Sequence, residues 1–488
     1  MFLSGLPAAY RMKEKILKDI FASSIQVILN QAASLVIFLI TSTYLFKYLF
    51  GELNWCIAII TLIISLLSFG MEPIIVKRIA AGEDIRETTG LYFLHTLFTG
   101  LLFVVAMVSL FILTPLFFRT NSSFILLSLS FLLSYFSSPF KQLANGRQWF
   151  HYLAAMSIIS NLIRAAGLLL LIFTNSFSLQ SLLLVFVAGS LCELILSIWL
   201  MLKKTGLALL NISWNREKYF SLVKESLPQL CVAFFSISLA RFDWIILGIM
   251  TTKIITAEYS FAYKVYELCT LPLLIIGPLL LPRFTRTFSS EQQSNLNDKK
   301  ESLFRFVRME IIIASFIGLL LNLVWIPVID GITGNKYGAT NSNTIFILSC
   351  SMPFLYVTNF LWTINFAQGY LKKILGIITI TFLLNIIGNI LLIPLWQAAG
   401  AAFAFLFAII IQTIIYLKKT AFQNMTAIWL PLIICPVSAF LSGWLAILAF
   451  GEHWLMIPCA IISFIMLLIF FRQIIIKDWV LFKKIFST

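Results

Sequence analysis

Long apolar stretches, separated by short polar segments, run through the whole chain. Fourteen are long enough to cross a bilayer as helices, which takes about 20 apolar residues each. They are too long and too evenly apolar for barrel strands, and a helix satisfies its own backbone hydrogen bonds inside lipid. The predicted spans are residues 21–46, 53–72, 91–113, 122–144, 152–173, 179–202, 227–250, 254–282, 309–329, 343–366, 374–396, 399–417, 428–450 and 454–472.

Composition agrees with this pattern. The 488 residues are 60% hydrophobic and only 11% charged, against about 25% charged in soluble domains. The opening residues lack the arrangement of a cleaved signal peptide. Seven cysteines form no CxxC pair and three histidines are far apart, so we expect no disulfide framework and no metal site. The sequence predicts an all-α integral membrane protein with no catalytic residues. It contains no GxxxxGK[ST] loop, so we do not expect this chain to use ATP.

The positive charges alternate with the predicted spans. With the N-terminus in the cytoplasm, 28 of the 35 lysines and arginines fall on the cytoplasmic side. This bias predicts a multi-pass membrane protein with both termini cytoplasmic. The net charge of +15 then reflects topology and contact with anionic membrane lipids, and we expect no nucleic acid partner. The four cations on the opposite side are Lys47, Arg119, Lys253 and Lys336.

A weak internal repeat relates the two halves of the chain. Spans 4 and 10 leave the membrane as 144–146 (ANG) and 367–369 (AQG), and spans 6 and 12 both end in two lysines. Chance similarity between apolar helices is the alternative. The repeat predicts two parallel, pseudo-symmetric six-helix lobes with a cargo cleft between them. The predicted parts are an interfacial segment 1–20, an N-lobe 21–204, a C-lobe 205–419, and a helix pair with a basic tail, 420–488.

Six ionisable side chains are predicted to lie at membrane depth. A charge near the bilayer centre costs about 2.5–3.5 kcal/mol on insertion scales, so these groups must pair with one another or face a polar interior. An interior wet enough to hold them is a candidate path for a polar cargo. They are Arg164, Glu193, Arg241, Asp243, Lys264 and Glu267.

Two pairings follow from depth and helix geometry. Arg164 lies roughly 18 Å, and Glu193 roughly 14 Å, from the cytoplasmic ends of successive spans, so they are expected to pair. Lys264 and Glu267 are three residues apart and share a helix face.

Arg241 and Asp243 point about 200° apart on one helix, so at least one is expected to meet another helix. Because three cations match three acids, all six are candidates for interhelical struts. We favour struts for Glu193 and Asp243. We favour contact with an anionic cargo for Arg164, Arg241 and Lys264, since a guanidinium grips phosphate at two points.

Span 1 also carries amides that are candidates for the same cavity, Asn30 and Gln31. Amide side chains in a membrane either hydrogen-bond between helices or bind sugar hydroxyls, and the packing role is the more common one.

Several segments resemble bacterial Wzx-type polysaccharide flippases of the multidrug/oligosaccharidyl-lipid/polysaccharide exporter (MOP) superfamily. They are residues 240–248 (ARFDWIILG), 259–267 (YSFAYKVYE), Pro278 to Pro282, Gly70 with 77–80 (KRIA), and 400–402 (GAA). The resemblance implies a MATE-like fold and a location in a bacterial inner membrane. It also implies alternating-access transfer of an undecaprenyl-diphosphate-linked oligosaccharide (an O-antigen, capsule or exopolysaccharide unit) to the outer leaflet. Cationic residues line the central cavity of such flippases, and the matching residues in this chain are Arg164, Arg241 and Lys264.

The resemblance further implies a polysaccharide polymerase and a chain-length regulator as partners, with no cofactor beyond coupling to H⁺, Na⁺ or the membrane potential. Three alternatives stay open. A cation-coupled multidrug exporter is expected to need a first-lobe acid, for which Glu193 is the only deep candidate. A lipid II flippase belongs to the same class. A glycan polymerase is expected to need larger charged outer loops than this chain has.

Overall fold

The computed structural model describes residues 29–206, 214–273, 296–420, 425–451 and 454–474. These residues are almost entirely helical and contain no strand, so the all-α class is confirmed. The predicted interfacial segment 1–20, the Pro278–Pro282 segment and the tail beyond residue 474 lie outside the described residues. The helices are α1 Leu29–Tyr44, α2 Lys47–Leu67, α3 Met71–Ala80, α4 Ile85–Leu113, α5 Pro115–Thr120, α6 Ser123–Phe136, α7 Ser138–Gly146, α8 Phe150–Phe173, α9 Leu179–Thr205, α10 Arg216–Met250, α11 Lys253–Cys269, α12 Leu296–Thr333, α13 Ser342–Ala367, α14 Leu371–Lys419, α15 Trp429–Phe450 and α16 Met456–Phe470.

Ten helical segments of the described residues are long and apolar enough to cross a membrane, and α1 and α16 are shorter apolar helices. The protein is therefore a multi-pass membrane protein. The exact number of fourteen crossings stays a prediction, because helix counts and predicted spans do not correspond one to one. The clearest case is α14, whose 49 residues include two predicted spans.

The two halves of α14 meet at a sharp corner. Gln397 has φ 50° and ψ −122°, which is not helical. A Cβ on Gly400 would lie 2.2 Å from the carbonyl oxygen of Leu392, and one on Gly388 would lie 2.9 Å from the Cβ of Ala404. Only glycine allows so close an approach. α14 is thus a helical hairpin closed by a corner almost without a loop.

Predicted span 4 is divided into α6 and α7. The break is at Ser137, and Pro139 follows in the first turn of α7, where its missing N–H removes no helical hydrogen bond. Phe140 and Leu143 of α7 are buried in a core shared with Met71 of α3. This packing fixes the rotation of α7 and with it the direction of the polar side chains on α7.

The chain forms two compact units, residues 1–245 and 246–488. In the first unit, only 17% of the most apolar window of α4 is buried, and Phe98 and Leu101 are exposed. In the second unit, Leu391 and Leu448 are similarly exposed on apolar helices. Large side chains turned outward on such helices are typical of surfaces that face lipid.

Candidate functional site

Helices α8 and α9 approach each other closely through two glycines. A Cβ on Gly167 would lie 2.7 Å from Cγ1 of Val185, and one on Gly189 would lie 2.5 Å from Cγ of Arg164. Small residues allow this contact between membrane helices. The stem of Arg164 therefore crosses α9 directly over Gly189, which delivers the guanidinium to the polar face of α9.

The guanidinium of Arg164 has three polar neighbours. Its Nη2 donates to Oγ of Ser190 at 2.8 Å and lies 3.6 Å from Oε2 of Glu193. Its Nη1 donates to Oδ1 of Asn161 at 3.2 Å. Its Nε is buried and has no hydrogen-bond partner. The Arg164–Glu193 pair predicted from depth is therefore present, and one donor of the arginine is unused.

Glu193 is the centre of the arrangement and is only 4% exposed. Its Oε2 accepts from Oγ of Ser160 at 3.1 Å and from Oγ of Ser134 at 3.3 Å. Its Oε1 forms an ion pair with Nζ of Lys141. One carboxylate is thus shared by two cations and two hydroxyls, and the ionised groups leave one excess positive charge. We call this set the Glu193 cluster: Ser134, Lys141, Ser160, Arg164, Ser190 and Glu193.

Sequence reasoning missed Lys141 as a member of this cluster. It was assigned to the cytoplasmic cations, although predicted span 4 (122–144) contains it. The missing information is the packing of α7 against α3, which directs Lys141 towards Glu193 on α9. A lysine a few residues inside the end of a predicted span was the available signal, because its long stem reaches a deeper acid.

The amides of α1 are connected to the cluster through α8. Nδ2 of Asn161 lies 3.5 Å from Oδ1 of Asn30, and Asn161 also accepts from Arg164. This is the interhelical bonding expected of membrane amides. Gln31 is half-buried on the same helix. Contact of Asn30 or Gln31 with a cargo stays a prediction.

Arg241 and Asp243 lie on α10, also in the first unit, and are placed differently from each other. Arg241 is half-buried, with its guanidinium 4.5 Å from the ring centre of Trp244 in cation–π geometry. Asp243 is fully buried. The carbonyl of Ile245 accepts from Nε1 of Trp55 on α2 at 3.2 Å, which fixes this stretch of α10 against the first unit.

The N-terminal part of α10 is also held by ion pairs and by a hydrogen bond. Glu225 accepts from Lys77 at 2.9 Å and from Nη2 of Arg78 at 2.8 Å. Nδ1 of His95 on α4 lies 3.0 Å from the hydroxyl oxygen of Tyr219 on α10. The sequence analysis used Lys77 and Arg78 as topology signals and as part of the family resemblance, so their structural role was missed.

In the second unit, α11 carries the other predicted pair. Nζ of Lys264 lies 2.8 Å from Oε2 of Glu267, as expected for residues three apart on a helix. Their side chains are 16% and 36% exposed. In the part of the chain that the structure describes, no three His, Cys, Asp or Glu side chains converge as metal ligands.

Comparison with known families decides the class of this membrane protein. The family described as polysaccharide biosynthesis protein matches residues 16–288, more than half of the chain. The chain belongs to this family. A search of curated proteins finds no match.

Solved structures show the fold that this member of the polysaccharide biosynthesis protein family adopts. The lipid II flippase MurJ in an inward closed conformation has a TM-score of 0.72 at 16% identity, covering 92% of this chain and 99% of MurJ. The Vibrio cholerae MATE transporter VcmN has a TM-score of 0.58 at 13% identity, covering 84% and 98%. An inward-facing multidrug resistance MATE transporter of the MOP superfamily scores 0.63 at 12% identity, covering 81% and 96%. The fold is that of MOP transporters.

Proposed function

We propose that the protein is a flippase that moves an undecaprenyl-diphosphate-linked oligosaccharide from the cytoplasmic to the outer leaflet by alternating access. The cargo is an O-antigen, capsule or exopolysaccharide repeat unit. Family membership and the MOP fold support the transporter class. The observation that carries the choice of an anionic cargo is the excess positive charge of the Glu193 cluster within membrane helices.

The energetic problem of such a transfer explains why the cluster has this composition. A sugar-diphosphate head in hydrocarbon leaves many polar groups unsatisfied, each costing several kcal/mol. Arg164 supplies a planar guanidinium that can bind phosphate at two points, and its Nε has no hydrogen-bond partner in this conformation. The serine hydroxyls, which both donate and accept, match sugar hydroxyls. Glu193 holds the cations in place, so that only the excess charge is available to the cargo.

The membrane potential supplies a driving force in this proposal. A head group that crosses with about two negative charges gains roughly 4–5 kcal/mol per 100 mV of inside-negative potential when it moves outward. The same proposal places the protein in the inner membrane with both termini in the cytoplasm. It also includes a polysaccharide polymerase and a chain-length regulator as partners.

Alanine substitution of the cavity cations tests the proposal. Arg164→Ala, Arg241→Ala and Lys264→Ala are each expected to abolish glycan export at normal protein levels, with lipid-linked repeat units accumulating on the inner leaflet. Lys141→Ala is expected to behave like Arg164→Ala because both share Glu193. Arg119→Ala, which removes an exposed arginine on the short helix α5, is the matched control. Full export in all the cavity variants would exclude cargo contact.

A lipid II flippase is the second candidate, favoured by the likeness to MurJ over 92% of the chain. Both cargoes present a diphosphate on a polyprenyl carrier, so the Glu193 cluster suits either of them. Complementation separates the two proposals. Rescue of a strain lacking its lipid II flippase, without any effect on surface glycan, would favour lipid II.

A further inference from the structure

Glu310 is a second buried acid, on α12 in the second unit. It is 3% exposed, and its Oε2 is buried without a hydrogen-bond partner. Among the residues that the structure describes, no cation lies within ion-pairing distance of Glu310. Neither the sequence analysis nor the proposed function uses this residue.

The surroundings of Glu310 are apolar. Val307 and Ile311, on the same turn of α12, are fully buried in a core that includes Val357 and Leu361 of α13. A carboxylate in this environment costs several kcal/mol even after relaxation, whereas the protonated acid is neutral.

The titratable groups on the packed helices do not supply a positive charge. Tyr356 of α13, which is within electrostatic range of Glu310, donates its hydroxyl hydrogen bond to the carbonyl of Cys269 on α11 at 3.1 Å. The hydroxyl of Tyr266 on α11 pairs with Ser351 at 2.8 Å. The other titratable groups of this core on the neighbouring helices are Tyr416 on α14, Cys435 on α15 and Cys459 on α16.

The two cations nearest to Glu310 along α12 face other directions. Arg308 precedes Glu310 by two residues and so points about 200° away. Its guanidinium lies 5.8 Å from the ring centre of Phe304 and is within electrostatic range of Cys435 on α15. Arg305, five residues before Glu310, is rotated by about 140°.

We propose that Glu310 is a proton-binding site, occupied in this conformation and emptied when another conformation lets water reach the carboxyl group. On release, the O–H bond breaks, the electron pair stays on the carboxylate oxygen, and the proton passes to water. Because the buried form binds the proton far better than the hydrated form, proton occupancy and conformation are thermodynamically linked. If the proposed flippase function holds, this linkage lets a proton gradient bias the transport cycle.

Infrared spectroscopy of the full-length protein in nanodiscs at neutral pH tests the site directly. The wild type is expected to show the carbonyl stretch of a protonated carboxyl group, and Glu310→Gln is expected to lack it. Glu310→Asp should keep the band at a shifted frequency, because it retains a buried carboxylic acid. Glu225→Gln, which removes a partly exposed, ion-paired acid, should leave the band unchanged. A band that persists in Glu310→Gln, or is absent from the wild type, would overturn the proposal.

The pH dependence of thermal unfolding gives a second readout that needs no cargo. The folded wild type holds a proton that the unfolded chain releases, since a free glutamate ionises near pH 4.3. The ratio of folded to unfolded wild type should therefore fall by up to tenfold per pH unit as pH rises from 6, until the folded site itself ionises. The melting temperature of Glu310→Gln should depend less on pH. Equal pH slopes, or a melting temperature that responds to Na⁺ in place of pH, would refute proton binding, whatever the result of the export assays.

Discussion

Glu193 and Glu310 are two equally buried acids, one in each unit, with opposite surroundings. Glu193 is 4% exposed and Glu310 is 3% exposed. Glu193 is contacted by two cations and two hydroxyls, whereas Oε2 of Glu310 has no partner. Burial alone therefore does not decide what an acid does in a membrane helix. Its donors decide whether it is a fixed anion or a site where a proton binds and leaves.

The difference arises from the packing of the backbone around each acid. Gly189 lets α8 approach α9, and α6 and α7 bring Ser134 and Lys141 to the same point, so donors from three elements reach Glu193. Around Glu310, α12 packs on α13 through aliphatic side chains such as Ile311 and Val357. The first arrangement builds a polar network, and the second excludes one.

The largest expected effect on stability is the difference between neutralising Glu193 and neutralising Glu310. Glu193→Gln leaves Arg164 and Lys141 buried without their anion, and breaking a buried pair typically costs about 3–5 kcal/mol. Glu310→Gln replaces one neutral group by another of similar size and removes the cost of proton uptake on folding, so at neutral pH it should leave the free energy of unfolding unchanged or raise it. Unfolding in the same detergent at neutral pH measures both. Equal losses would remove the distinction between the two acids.

An intermediate effect is expected from adding a methyl group at the close contact between α8 and α9. A Cβ at position 189 would meet the stem of Arg164, which cannot move aside as a side-chain tip can. Gly189→Ala should cost about 1–3 kcal/mol, as overpacking does, and should lower export along with Arg164→Ala. The matched control is Gly376→Ala on α14, where a Cβ meets nothing within 4 Å. If both variants behave alike, the glycine does not position the arginine.

The smallest stability effect is expected at the Lys264–Glu267 pair. Its members are on one helix and partly exposed, and such pairs contribute about 0.2–0.5 kcal/mol. Lys264→Ala should thus leave the melting temperature nearly unchanged while export is lost, whereas Glu193→Gln should lower both. A large loss of stability in Lys264→Ala would mean that the lysine is structural.

Particular residues show how far sequence reasoning reaches in this protein. Apolar length and the cost of exposed backbone in lipid predicted the helical membrane class, and depth along successive helices predicted the Arg164–Glu193 pair. Position 141 was not predicted, because the direction of Lys141 depends on the packing of α7 against α3.

Glu310 was missed for a related reason. It falls beside the start of predicted span 9, at residue 309, where an acid is normally solvated. Only the packed neighbours reveal that it is buried. Charge, length and period are local in the sequence, whereas the partners of a side chain are set by elements distant in the chain.

The corner of α14 has a practical consequence for labelling this protein. At Gln397 the chain reverses without slack, since the Gly400 position touches the backbone of Leu392. A peptide tag or fluorophore inserted there would push two helices apart. At the turn at Gly82 an added Cβ would meet nothing within 4 Å, so we expect a reporter placed after Gly82 to leave the surrounding helices undisturbed.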